Sequence, residues 1–223
     1  HQKPFVPATQ IADIGGGGLM AVSGILLALM SRSQTGKGQF VDISMTDGSI
    51  SWLQTILPDF LAGLQVRQGE LTLSGGKACY GVYETADQRY LSVGALEPKF
   101  WQAFCEGIER PDFVPMLDAS FQVQSQLKME IEQIIRKKPL NEWLAIFNDL
   151  EACVAPVLTP EEMVNHPQVK EREMIVETDD EQLGKTKQIG IPIKLSRTPG
   201  QIRSQAPRLG EHNDEILNQL MKK

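Results

Sequence analysis

Residues 10–21 read QIADIGGGGLMA and place one acidic residue, Asp13, just ahead of four consecutive glycines. Such a run costs backbone entropy, so we expect this position to need either a positive φ or a very close approach of another group to the backbone. The small and apolar residues that follow, over 16–33, predict a buried helix. Asp13, at the start of that helix, is therefore the first candidate for chemistry.

The pattern of apolar residues after this helix predicts a mixture of strands and helices. Val41, Ile43 and Met45 alternate with polar residues, which is typical of a strand over 40–45. Similar patterns predict a helix over 46–64 interrupted near Pro58, a linker over 65–77 and a hairpin of 80–85 and 89–96. Further helices are predicted over 98–108, 122–138 and 140–150, followed by a short buried strand over 152–158. A capped helix starts at Thr159, and a last helix starts at Asn213. The order of these elements predicts the α/β class.

Composition and charge exclude several classes of protein. With 223 residues, 41% of them hydrophobic and 22% charged, the chain has room for one large domain or two small ones. A formal net charge of −6, without a basic cluster interleaved with aromatic residues, argues against nucleic-acid binding. The three cysteines lie far apart with no C-x-x-C spacing, so we expect no disulfide framework, no metal site and a reducing, cytoplasmic compartment. The longest apolar stretch, 19–30, is too short to span a bilayer.

Asp13 has two interpretations, and they are compatible with each other. As an N-cap, its carboxylate would accept backbone N–H bonds at the positive end of the helix. As a catalytic group, it would stand beside bare backbone at Gly15, Gly16 and Gly17, where a substrate carbonyl would lie against N–H donors. The glycine run lacks both common phosphate-loop spacings, so phosphate binding there is a weak hypothesis.

Glu97 is the second candidate, because it ends a predicted strand immediately before Pro98. Proline biases the preceding residue to an extended conformation, which projects the glutamate side chain at a junction between two elements. The alternative is an ordinary solvated surface glutamate. His166 and His212 have no partner at metal-ligand or triad spacing, so both are weak candidates for catalysis.

Five stretches of the chain together resemble one known family. They are ADIGGGGL (12–19), RSQTGKGQFVDISMTDG (32–48), YGVYETADQRYLSVGALEPKFW (80–101), CVAPVL (153–158) and LGEHNDEIL (209–217). In this order they resemble the family III CoA-transferases (CaiB/BaiF type), and within that family most closely the α-methylacyl-CoA racemases. The resemblance extends over nearly the whole chain and corresponds to the later part of such an enzyme.

The resemblance implies a fold and an assembly. Family members have a Rossmann-like large domain that binds CoA, a smaller α/β domain after a long connector, and a chain that returns to the large domain; they form interlocked homodimers. On this chain, residues 1–45 would be the end of the large domain, 46–78 the connector, 79–175 the small domain and 176–223 the returning segment. Most CoA-binding residues and an upstream catalytic histidine would lie outside this chain, so the isolated chain is expected to be inactive.

The resemblance also implies roles for the two candidate residues. Asp13 matches the family's catalytic aspartate, which is an acid/base in the racemases and a nucleophile in the transferases. Glu97 matches the racemase glutamate that pairs with the catalytic histidine. The glutamate-proline pair, without the long glycine loop of the formyl-type transferases, favours a racemase acting on an acyl-CoA with no permanently bound cofactor. A CoA-transferase and a catalytically incomplete dimerisation or substrate-binding fragment remain the alternatives.

Overall fold

The computed structural model describes residues 6–67, 69–180 and 184–221, so the outermost residues of the predicted domain ranges lie outside the description. A helical segment forms the first part of the chain. It consists of a π-helix Ile11–Leu19, α1 Met20–Thr35, α2 Met45–Ser51, a 3₁₀ helix Trp52–Thr55 and α3 Leu57–Leu61. The predicted interruption near Pro58 is confirmed, because this proline sits in the first turn of α3 and the helical path breaks at Ile56.

The strand predicted over 40–45 is wrong. Residues 37–44 form neither helix nor strand, and α2 already begins at Met45. Ser44 caps this helix by accepting a hydrogen bond from the Asp47 N–H at 3.2 Å. A strand needs a hydrogen-bonded neighbour, and no strand in the described part of the chain pairs with this stretch. Alternation of apolar and polar residues alone was therefore not sufficient evidence for a strand.

The helix predicted over 16–33 forms, but it is not buried. The π-helix continues directly into α1, which contains no buried residue; Leu27, for example, is 65% exposed. By length and composition only, the resulting helix Ile11–Thr35 is apolar enough to cross a membrane, which corrects the prediction made from 19–30. One such helix near the N-terminus is weak evidence for a membrane span. Exposed apolar surface of this extent typically marks a contact with another protein surface or a membrane.

A small domain with its own sheet follows residue 77. It contains β1 Tyr80–Glu84, β2 Tyr90–Gly94, α4 Pro98–Gly107, a 3₁₀ helix Pro111–Met116, α5 Phe121–Ile135, α6 Leu140–Phe147 and β3 Val154–Pro156. The strands form an antiparallel sheet in the order β1-β2-β3, in which Val82 pairs with Ser92 and Ser92 with Ala155. The predicted hairpin and the three predicted helices are confirmed. The strand predicted over 152–158 is shorter, and its central residue Ala155 is exposed rather than buried.

The hydrophobic core lies entirely in this domain. Every buried apolar side chain of the described residues falls between Ala78 and Ala152. Trp101, one of two buried tryptophans, packs on Phe104 with ring centroids 5.7 Å apart, and Phe104 stacks in turn on Phe147. The helices α4 and α6 therefore share one aromatic centre, and its rings belong to the same core cluster as Leu91 and Val93 of β2.

The last part of the chain is a hairpin flanked by short helices. Its elements are α7 Pro160–Asn165, α8 Pro167–Glu171, β4 Ile175–Asp180, β5 Gly184–Ile189 and α9 Asn213–Met221. The capping box predicted at Thr159 is confirmed, with Glu162 as its partner. The β4–β5 hairpin was not predicted. Both sheets of residues 6–67, 69–180 and 184–221 are antiparallel. The four domain ranges stay predictions.

Candidate functional site

Asp13 is exposed in the first turn of the π-helix. The N-cap interpretation is wrong, because the helix begins at Ile11 and Gln10 occupies the cap position. A carboxylate in a first turn still interacts favourably with the positive end of the helix. In the same turn the N–H groups of Ile11 and Ile14 donate to the carbonyl oxygens of Thr9 and Gln10 at 2.9 and 3.0 Å. π-Helical turns are rare and are frequent at functional sites.

The glycines after Asp13 allow other groups to approach the backbone closely, and they are not needed for a positive φ. None of the four has a positive φ, and Gly15 and Gly16 are buried. A Cβ atom at Gly15 would lie 1.7 Å from Trp52 Cη2, and one at Gly16 would lie 2.7 Å from the carbonyl oxygen of Met45. The approaching groups at these two positions thus belong to the protein itself. At Gly17 the nearest group is the flexible side chain of Met45, whose Cγ would lie 2.9 Å from a Cβ atom, so approach of a thioester there stays a prediction.

Glu97 is the N-cap residue of α4, with the extended backbone (φ −81°, ψ 144°) that the following Pro98 favours. Its carbonyl oxygen accepts the N–H groups of Phe100 and Trp101, both at 3.0 Å. Its carboxylate makes no capping hydrogen bond and is exposed. The structure therefore fixes the backbone of Glu97 firmly and leaves the side chain available for another partner.

The two candidate carboxylates lie on different parts of the fold. Asp13 packs within the helical segment, where the π-helix contacts α1 and α2. Glu97 belongs to the small domain, where α4 contacts α6 and the 3₁₀ helix before α5. In the part of the chain that the structure describes, no hydrogen bond joins the two side chains.

His166, a candidate from the sequence, and Asp87, in the turn between β1 and β2, both have structural contacts. His166 caps α8 by accepting the Gln168 N–H at 3.2 Å on its Nδ1. Asp87 accepts the hydroxyl of Thr85, and this hydrogen bond lowers the pKa of the aspartate. It also accepts the N–H of Leu140 at 3.1 Å, which ties the β1–β2 turn to α6. These hydrogen bonds give both residues a structural role that does not require catalysis.

Metal binding has no support in the geometry. Among residues 6–67, 69–180 and 184–221, no group of three or more His, Cys, Asp or Glu side chains is arranged to hold a metal ion. The cysteines are free, with Cys79 and Cys105 buried and Cys153 exposed. The expectation of a site without metal stays a prediction.

Comparison with known proteins identifies the family. The family model described as CoA-transferase family III matches residues 1–213. The chain belongs to CoA-transferase family III. The α-methylacyl-CoA racemases of human and mouse are 33% and 35% identical to this family III chain over 98% of its length. A succinyl-CoA–D-citramalate CoA-transferase of Chloroflexus aurantiacus is 26% identical over the same share of the chain.

Solved structures agree on the fold of this family member. A CAIB/BAIF family protein from Brucella suis superposes with a TM-score of 0.74 at 21% identity and covers 98% of this chain. The protein Rv3272 from Mycobacterium tuberculosis superposes with a TM-score of 0.72 at 24% identity and covers 95% of this chain. The match includes 57% of each of these structures. The chain likewise spans 56% and 57% of the length of the human and mouse racemases. The fold is thus the family III fold over little more than half of its known extent.

Proposed function

We propose that this chain is the C-terminal portion of an α-methylacyl-CoA racemase-like enzyme. The reaction removes the α-proton of an acyl-CoA thioester and returns a proton to either face. Asp13 and Glu97 are the acid/base partners provided by this chain, and coenzyme A enters as part of the substrate with no resident cofactor. The observation that carries the proposal is the Glu97 carboxylate, which stands exposed at a rigid strand–helix junction and takes no part in capping.

The chemistry requires groups on two faces of the substrate. The α-proton of a thioester is only weakly acidic, so its removal needs a base on one face, an acid on the other and donors to the developing enolate oxygen. Asp13 would serve one face, and a histidine supported by Glu97 would serve the other. The first turn of a helix leaves N–H groups without an intrahelical partner, and such groups beside Asp13 would be suited to the enolate oxygen. The CoA moiety binds away from the reacting carbon, and its binding energy positions that carbon for proton transfer.

The exposed apolar helices support an assembly larger than this chain. The helical segment exposes large side chains along α1 and α3 and contributes no apolar side chain to the core. The racemases that this chain resembles are nearly twice as long. We infer that the π-helix and α1 pack against the rest of a Rossmann-like large domain, as the end of that domain, and that the enzyme is an interlocked homodimer. The free thiols favour a reducing, cytoplasmic location.

A second candidate is CoA transfer between carboxylic acids. The family III relatives include transferases that match this chain over as large a share of its length as the racemases do. In that reaction Asp13 would be the nucleophile and would carry an aspartyl–CoA thioester intermediate. The higher identity to the racemases favours the first candidate. A third possibility, an incomplete binding module, predicts an intact mass near 24.8 kDa with no upstream polypeptide in solution.

The proposal is tested on the full-length gene product with Asp13→Asn. We expect loss of α-proton exchange with little change in melting temperature, because Asp13 is exposed and its replacement leaves the packing of the glycines intact. Asp42→Asn is the matched control, since Asp42 is equally exposed in the same segment and has no proposed role. Undiminished exchange in the Asp13 variant would remove this residue from the mechanism.

A further inference from the structure

A buried glutamine holds Ala78, the last residue of the predicted connector. Gln124 on α5 is only 3% exposed, although it is polar. Its Oε1 accepts the N–H of Ala78 at 2.9 Å. Its Nε2 donates to the carbonyl oxygens of Met116 and Leu117 at 2.8 and 3.0 Å. One side chain thus joins the end of the connector, the 3₁₀ helix and α5, and its hydrogen-bonding groups are all satisfied inside the core.

The same alanine is held from its other side. The hydroxyl of Tyr83 donates to the carbonyl oxygen of Ala78 at 2.5 Å. Burial raises the pKa of Tyr83 well above its ordinary value, so the hydroxyl keeps the proton that it donates. Ala78 is fully buried. Both backbone polar groups of this residue are therefore fixed by buried side chains, one from α5 and one from β1.

Ala78 is connected to Glu97 through one backbone hydrogen bond. The next residue, Cys79, accepts the N–H of Ala95 on its carbonyl oxygen at 2.8 Å, and Ala95 lies two residues before Glu97. On the other side of β2, the Gly94 N–H donates to the carbonyl oxygen of Cys153 at 2.9 Å. The strand end that carries Glu97 is thus held on both edges. The β1 edge is the one whose position depends on Gln124.

We propose that Gln124 is a positioning residue for Glu97, which it holds through Ala78, Cys79 and Ala95. Gln124 touches neither substrate nor reacting atoms. Its effect is to set where the Glu97 backbone stands relative to the groups on the other face of the substrate. This inference rests on the proposed acid/base role of Glu97. Small displacements of a catalytic group are costly, because proton transfer requires hydrogen-bond distance.

The test compares Gln124→Met with Trp143→Phe in the full-length gene product. Methionine has a similar length and no hydrogen-bonding group, so Ala78 loses its partner. Trp143→Phe is the control, because it removes an equally buried hydrogen bond, from Nε1 to the Ile135 carbonyl oxygen at 2.7 Å, in another part of the same core. We expect kcat for α-proton exchange to fall by about tenfold or more in Gln124→Met with KM unchanged. The control keeps its kcat when this is expressed per folded molecule.

Hydrogen exchange supplies a second readout that does not depend on activity. The Ala95 amide should exchange faster in Gln124→Met, while the Gly94 amide, bound to Cys153, keeps its rate. If Gln124→Met does not fold, Tyr83→Phe is measured in its place, since it removes the other bond to Ala78. For that variant we expect a smaller fall in kcat, about threefold, from the lesser displacement.

Three outcomes overturn the proposal. They are an unchanged kcat in a folded Gln124→Met protein, an equal loss of kcat in the Trp143 control, and an Ala95 amide that exchanges at the wild-type rate. Failure of the proposed function gives a different pattern: Glu97→Gln would leave exchange at the α-carbon unchanged. In that case the positioning role fails with it, while faster exchange at Ala95 in Gln124→Met would still establish the hydrogen-bond chain.

Discussion

Replacement of Gly48 by alanine tests how the fold positions Asp13. Gly48 on α2 faces the backbone of the π-helix, and a Cβ atom there would lie 2.1 Å from the Gly16 carbonyl oxygen and 2.7 Å from the Gly16 Cα. Ordinary van der Waals contact begins at 3.4 Å. The two helices would therefore have to separate by about 1.3 Å, because both partners are backbone atoms that cannot rotate away.

This separation has two consequences of calculable size. Overpacking of this kind costs about 1 to 3 kcal/mol, so the melting temperature of the full-length protein should fall. A displacement of about 1 Å at a catalytic group lowers the rate by about a hundredfold, so α-proton exchange per folded molecule should fall by that order. Asp13 lies three residues before Gly16 in the same helix and moves with it.

The assay measures exchange at the α-carbon and thermal unfolding in parallel. Gly38→Ala is the control, because a Cβ atom there has no neighbour within 4 Å and its φ is not positive. This variant should keep both wild-type activity and wild-type stability. A Gly48→Ala protein with unchanged exchange and melting temperature would refute the close contact between α2 and the π-helix as the device that places Asp13.

Residues 79–162 give three further predictions. Trp101→Phe leaves the carbonyl oxygen of Phe113 without its 3.1 Å indole donor and opens a cavity, so the free energy of unfolding in urea should fall by about 2 to 4 kcal/mol; a loss below about 0.5 kcal/mol would contradict this. The hydrogen bond from Arg89 lowers the pKa of Glu162, so its stabilisation is present above the ordinary value of 4.5 and is lost as pH falls through the lowered one. Glu162→Gln should therefore flatten the acid limb of a stability curve, and an unchanged limb would argue against the pair. Iodoacetamide should alkylate Cys153 in the native protein and the two buried thiols only after unfolding, as peptide mass spectrometry would show.

Much of the small domain could be predicted because its signals are local. The hairpin of β1 and β2 alternates apolar and polar residues, and Pro98 marks the start of α4. The helical segment was predicted less well. Burial of its apolar residues depends on which other surface covers them, and a sequence pattern does not show this. The apolar residues of α1 indicate a buried helix, yet no element of the described residues covers them. The β4–β5 hairpin was missed because polar residues such as Glu177 and Lys185, which form an ion pair, dilute its apolar alternation.

In the candidate site, too, the residues with local sequence signals were predicted and those with long-range contacts were missed. Motifs singled out Asp13 and Glu97, and the extended backbone of Glu97 followed from its proline neighbour. The support around them was missed. Gln124 shares a helix face with Leu127, Ile131 and Ile135, all buried, and a polar residue on an apolar stripe is the signal that would have found it. The contacts of Gly16 required the three-dimensional arrangement, because α2 is remote from the glycine run in sequence.

The most direct test of the proposed function is isotope exchange by the full-length gene product. The enzyme is incubated with a chiral 2-methylacyl-CoA in D₂O, with and without a free carboxylic acid as acceptor. The racemase account predicts deuterium at the α-carbon and loss of chirality with no need for the acceptor, and both should disappear in Asp13→Asn. Formation of a new acyl-CoA only when the acceptor is present, without exchange at the α-carbon, would contradict it and make Asp13 the nucleophile of a CoA-transferase.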